Sequence, residues 1–201
     1  MTRRLLLALL AVLALVGGCG LSEDSEPNAI APDDLPPDLL DPNPDTSTTI
    51  SELPGTSVVV YLLEEVDDDV RLTEVHRKVA DPADPGDRLV ALFAQPSEEE
   101  AAQGLVTAIP ADTMLRAMPV LNDETKELVL DLSSEFLSIE GPELPKAFAQ
   151  IVYTVTEPEL GVREVRFLVD GEEIGAPDAS GAEQQGSVTR SIYAALRPVE
   201  R

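Results

Sequence analysis

Tryptophan is missing from this sequence, and its 201 residues include only three tyrosines and four phenylalanines. None of the seven lies before Tyr61. A segment without aromatics has little means of burying enough apolar surface to offset its ordering entropy. A folded core is therefore expected to begin near position 57. There is one cysteine, Cys19, which excludes an internal disulfide. There is one histidine, His76, so no two-histidine metal site is available, and no set of motifs assembles a Ser-His-Asp group. Hydrolytic catalysis is not expected, and no catalytic residue, metal ligand or cofactor is assigned. Basic residues are few as well: the formal net charge is -24. Phosphate binding needs clustered Lys and Arg, which argues against nucleic acid as a partner.

What is present is unevenly distributed. Arg3 and Arg4 precede an uninterrupted apolar run from Leu5 to Val16. A helix of that length spans about 18 Å, well short of the roughly 30 Å hydrocarbon core of a bilayer. Length and flanks favour a secretory signal over a permanent span. The run ends in Val16-Gly17-Gly18-Cys19. This resembles the bacterial lipobox, an aliphatic residue and two small residues before a cysteine. The resemblance implies removal of residues 1–18 and attachment of palmitate-class acyl chains at Cys19. The expected partner at this end is the membrane itself. Two or three chains give stable anchoring where one would be marginal. Loss of Arg3 and Arg4 would take the formal charge from -24 to -26.

Residues 19–56 have a different composition. From position 20 they carry seven prolines, nine acids and no Lys or Arg. Asp-Pro-Asn-Pro-Asp at 41–45 opposes any regular element. The stretch reads as a disordered acidic tether. A flexible coil of that length spans on the order of 35 Å, and proline and like charge lengthen it.

Residues 57–201 hold the expected domain. Val58 to Leu63 is a compact apolar run, hence a buried strand, followed by a polar turn at Glu64 to Asp69. Val70 to Val79 reads as its partner, with a bulge between Leu72 and Val75. Asp84 and Pro85 open a helix whose buried stripe is Leu89, Leu92 and Phe93. Ser97 and Glu100 form a capping box for one more short helical turn. A strand is expected at 113–121 and another at Lys126–Leu132, where Leu128, Leu130 and Leu132 share a face. Residues 144–155 have strand propensity, but Leu144, Ala147, Phe148, Ile151, Val152 and Val155 fall on a helical stripe, and helix is chosen. Val162–Val169 is a strand, Asp170-Gly171 its tight turn, and 172–174 a short return. Residues 175–188 read as a Gly- and Ala-rich loop, and the tail as a last strand or a frayed end. The order, about ββαββαββ, defines an α+β fold: a small sheet with two main helices on one face.

Several of these segments resemble the GerMN domain of sporulation and spore-germination proteins. They are Val60-Tyr61-Leu62, the Leu72–Val79 strand, the helix through Leu92, Gly104-Leu105 with Ile109-Pro110, and Val129-Leu130-Asp131-Leu132-Ser133 before Glu135-Phe136. Gln150-Ile151-Val152-Tyr153-Thr154-Val155-Thr156 and Phe167-Leu168-Val169-Asp170-Gly171 complete the series. The resemblance implies a small α+β module similar to the ring-building motifs of spore-channel proteins. Its members are often lipoproteins at the outer face of the cytoplasmic membrane, and no catalytic residues are associated with them. The implied function is a non-catalytic protein-interaction module in envelope or sporulation-type assembly, with an envelope protein or another copy as partner. The alternative is a binding domain for a small envelope ligand such as a glycan fragment or lipid. Remaining residues of chemical interest have plainer readings: His76 as a strand surface residue, Asp67-Asp68-Asp69 as a solvated turn, Asp131 as a strand end and Ser133 as a helix cap.

Overall fold

The computed structural model describes residues 55–66 and 69–198. The α+β expectation holds. The chain opens with two long antiparallel strands, β1 (Thr56–Val66) and β2 (Asp69–Val79). Helix α1 (Pro85–Phe93) and the short α2 (Glu98–Ala102) follow. Next come β3 (Val120–Asn122), β4 (Glu127–Leu132), helix α3 (Glu143–Val155) and β5 (Glu164–Val169). Three two-residue strands, β6 (Glu172–Glu173), β7 (Ala176–Pro177) and β8 (Glu183–Gln184), precede a terminal 3-10 segment, Arg190–Leu196.

β3, β4, β5 and β6 form one sheet in that order. β4 and β5 are parallel, and α3 is the crossover between them, as a parallel pair requires. Both strands alternate strictly. Leu128, Leu130 and Leu132 of β4 and Val165, Phe167 and Val169 of β5 are buried on one face. Against that face lies the stripe of α3, with Ala147, Phe148, Ile151, Val152 and Val155 buried. Phe148 stands edge-on to Phe136 (5.0 Å between centroids) and to Phe167 (4.7 Å). The helical period of residues 144–155 therefore outweighs their β-branched content, because a helix lets every apolar residue of the stripe reach one core.

The caps fall where the sequence puts them. The Asp84 carboxylate accepts the Gly86 N–H at the start of α1, with Pro85 at its first position. Ser97 and Glu100 exchange both bonds of a capping box.

Five details differ from the sequence expectation. The polar segment 64–69 is not all turn: β1 runs on to Val66 and β2 begins at Asp69. Its side chains pair across the hairpin, Thr73 donating to Glu64 at 2.8 Å, so charge does not end the strands. Positions 67 and 68 lie outside the described residues. The register from Thr56–Val79 to Val66–Asp69 is unbroken, so there is no bulge between Leu72 and Val75. Leu72 and Val79 fall on opposite faces because both faces of the hairpin are partly covered: Tyr61 meets Tyr153 on one, and Arg77 meets Glu100 on the other. Within 113–121 only Val120 and Leu121 belong to a strand; Leu115 makes an isolated bridge to Leu132, and Pro119, lacking an N–H, interrupts the ladder. The loop at 175–188 contains the β7–β8 ribbon. The tail as described, to residue 198, is not frayed: Val188 bridges to Val165, and Tyr193 is fully buried.

Candidate functional site

Of the residues singled out in the sequence, Cys19 lies outside the described residues. His76 is exposed on β2. Asp131 and Ser133 sit at the end of β4, and both hold backbone. Asp131 accepts the Gly171 N–H at 3.0 Å, pinning the tight turn after β5, where Asp170 and Gly171 both have positive φ. Ser133 heads a 3-10 turn but makes no capping bond; its hydroxyl accepts the Met114 N–H at 3.1 Å. Among the described residues no group of three or more His, Cys, Asp or Glu could hold a metal ion.

The β1–β2 hairpin holds the two longest strands of the described residues. Its two edges differ. On β1, Leu63 exchanges both backbone bonds with Val106 at 2.9 Å. Two residues earlier, α3 takes the place of a strand. The Thr154 hydroxyl accepts the Tyr61 N–H at 3.1 Å, and the Gln150 carboxamide donates to the Tyr61 carbonyl at 3.0 Å. The other end of the Gln150 carboxamide accepts the Ala108 N–H at 2.8 Å. Since Leu63 and Tyr61 point away from β2, strand alternation turns Leu62 toward it and sends the N–H and C=O groups of Leu72 and Glu74 away from β1. Among the described residues these outward groups have no backbone partner from Val70 to His76, and β2 pairs with β1 alone. β2 is an open edge.

Beside that edge lies a cleft of about 460 Å³. Four consecutive β2 residues, Thr73 to His76, line one wall; Glu99, Glu100 and Gln103 at α2 line the other. Arg77 ties the walls together, pairing with Glu100 at 2.7 Å and donating to the Ala91 and Ala94 carbonyls. Burial pushes the Glu100 carboxyl up, but hydrogen bonds from Arg77 and Ser97 outweigh it and hold the group below its ordinary range. The cleft is polar and acidic.

On the opposite face Tyr61 donates to Glu157 at 2.8 Å, and the Arg190 guanidinium lies 4.8 Å from the Tyr153 ring centroid while also pairing with Glu157. Burial, then the bond to Glu157, raises the Tyr61 phenol above its ordinary value. The cluster fastens the C-terminal segment to β1 and α3. Arg190 carried no motif in the sequence; its role follows from folding alone.

Among the described residues these features define a small α+β domain with one sheet edge closed by a helix and one left open. Residues 59–175 match the profile of the Germane family, described as sporulation and spore germination, and the chain belongs to that family. A search of curated proteins finds no match. Among solved structures the chain is similar to the first GerMN domain of the sporulation protein GerM from Bacillus subtilis, with 15% identity and a TM-score of 0.51 over 68% of this chain and 98% of that one. It is also similar to the tandem GerMN domains of GerM from Bacillus subtilis, with 22% identity and a TM-score of 0.47 over 66% of this chain and 47% of that one. The chain thus spans about half the length of that tandem structure.

Proposed function

We propose that this protein is a membrane-anchored extracytoplasmic lipoprotein, acylated at Cys19, whose domain is a non-catalytic protein-interaction module in envelope or sporulation-type assembly. The observation that carries this reading is the open edge of β2. An unpaired row of N–H and C=O groups is a template for an added strand, and extended segments bind proteins in this way through main-chain bonds, with side-chain pockets giving specificity. The adjoining acidic cleft favours a partner segment carrying Lys or Arg. Membership of a sporulation and germination family supports the assembly setting.

The test is site-specific photocrosslinking in the native envelope. A photoreactive residue replaces Glu74 on the edge or, as a control, Asp123 in the β3–β4 turn. The reading expects a discrete protein adduct from position 74 alone. Equal or absent adducts at the two positions would overturn it.

A further inference from the structure

We propose that the outer face of the β3–β6 sheet docks a basic amphipathic helix of a partner protein, at a site separate from the β2 edge. α3 covers the face that carries Leu130 and Phe167. The alternate positions of β4 and β5 turn the other way, and none of them is buried. Val129 and Leu168 are the apolar ones, and Val120 of β3 lies directly opposite Val129 and is 63% exposed. Parallel sheets are ordinarily covered on both faces, and this parallel pair is not. The edge beside Val120 adds apolar surface. Between the Leu115–Leu132 bridge and the Val120–Val129 pair, the edge segment has four residues where β4 has two. Such an excess bulges and re-aims side chains. It carries Met118, 73% exposed, and Met114 just before it is 58% exposed. Apart from Met1 these are the only methionines of the chain. Flexible thioethers recur on surfaces that adapt to an apolar partner, and contiguous exposed apolar patches mark interaction sites.

Size and charge select the occupant. Four strands about 4.8 Å apart, with six residues at about 3.3 Å each, make a face of at most about 20 by 20 Å. That is about half of the roughly 800 Å² that each partner of a standard interface buries, so the face is too small to hold a second globular copy by itself. It suits one helix of about 13 residues, about 20 Å long and about 10 Å across. α3, on the other side of the sheet, has 13 residues. Along the strip formed by Met118, Val120, Val129 and Leu168 the face is apolar, as the stripe of an amphipathic helix requires. Beside the strip it is charged. Arg166 pairs with Glu127 at 2.7 Å and Glu173 at 3.4 Å, and Arg116 pairs with Asp170 at 3.0 Å. Asp131 and Glu164 on the same face bring the balance to five carboxylates against two guanidiniums. The complement is a helix whose apolar stripe is flanked by Lys or Arg.

Methionine-methyl NMR on the full chain in lipid nanodiscs tests this, because Met114 and Met118 report from the face itself. The probe is a peptide of about 13 residues, leucine and lysine only, with the leucines at helical spacing. It should shift both methyl signals saturably. The same composition in strict Leu-Lys alternation suits the β2 edge and should leave both signals in place, so failure here is separable from failure at that edge. A leucine-glutamate helix should bind about tenfold more weakly, since like charges meet. Val120→Lys should weaken the lysine helix about tenfold by setting a like charge in the strip. Met118→Gln, read at Met114, is the second variant and should weaken it about threefold by removing apolar surface. Both positions are exposed, so the urea midpoint should not change. If the lysine helix shifts neither signal, if the alternating peptide or the glutamate helix does as well, or if both variants bind like wild type, the proposal is overturned. Signals that move with protein concentration alone would assign the face to a second copy and overturn it too.

Discussion

Gln150 of α3 reaches the backbone of Tyr61, eighty-nine positions earlier in the chain, and donates to its carbonyl at 3.0 Å. Its carboxamide oxygen takes the Ala108 N–H, so one side chain satisfies the strand edge and the loop that crosses it. Gln150→Leu keeps the volume and removes both bonds, together with a third that the Thr107 hydroxyl donates at 3.2 Å. Each buried group left unsatisfied costs about 1–3 kcal/mol, so the expected loss is about 2–4 kcal/mol in urea unfolding. A loss under about 1 kcal/mol would show that α3 does not close this edge.

That relationship also marks the limit of what the sequence discloses. The apolar stripe from Leu144 to Val155 is visible as a period, and β4 and β5 as alternations, because burial on one face leaves a periodic trace. The caps at Asp84 and Ser97 are legible because a cap acts within three residues. Gln150 and Thr154 show nothing locally: two polar residues inside an apolar stripe are explained only by a strand far away in sequence. Arg88 is hidden for the same reason, since its partners Pro82 and Glu159 come from two different loops. The extent of β3 is not legible, because Met114, Leu115 and Val120 have strand composition, while Pro119 decides how few of them pair.

Glu127 gives the domain an acid-sensitive joint. Hydrogen bonds from Ser187 and then Arg166 hold its carboxyl below the ordinary value of 4.5, against a smaller upward push from burial. A carboxyl depressed in the folded state contributes stability that is fully present above its unfolded value and is lost as pH falls through the folded one. Stability should therefore fall with acidification below about pH 4.5, and Glu127→Gln should flatten that part of the curve. Urea midpoints at pH 7, 4.5 and 3 check it. An acid limb as steep in the variant as in wild type would remove Glu127 from the account.

In the proposed reading the anchor rests on Cys19, because the segment that follows has no basic residue to hold an anionic surface. Cys19→Ala should move the protein from the membrane pellet to the soluble or uncleaved fraction and abolish incorporation of labelled palmitate. Unchanged labelling would exclude acylation at that residue.

The open edge of β2 can be tested by proline at two neighbouring positions. The His76 N–H points away from β1, so His76→Pro removes an outward donor and leaves the β1–β2 ladder intact, a placement that edge strands tolerate. Val75 faces the other way, opposite Val60, so Val75→Pro deletes a ladder bond and places the ring against β1. Val75→Pro should cost about 3 kcal/mol or more in unfolding. His76→Pro should leave the unfolding midpoint close to that of wild type while eliminating the photocrosslinked adduct from position 74. If His76→Pro preserves the adduct, the partner does not pair with the strand and must hold the domain by side chains of the cleft. If it unfolds the domain as Val75→Pro does, the edge is not open and β2 is paired on both sides.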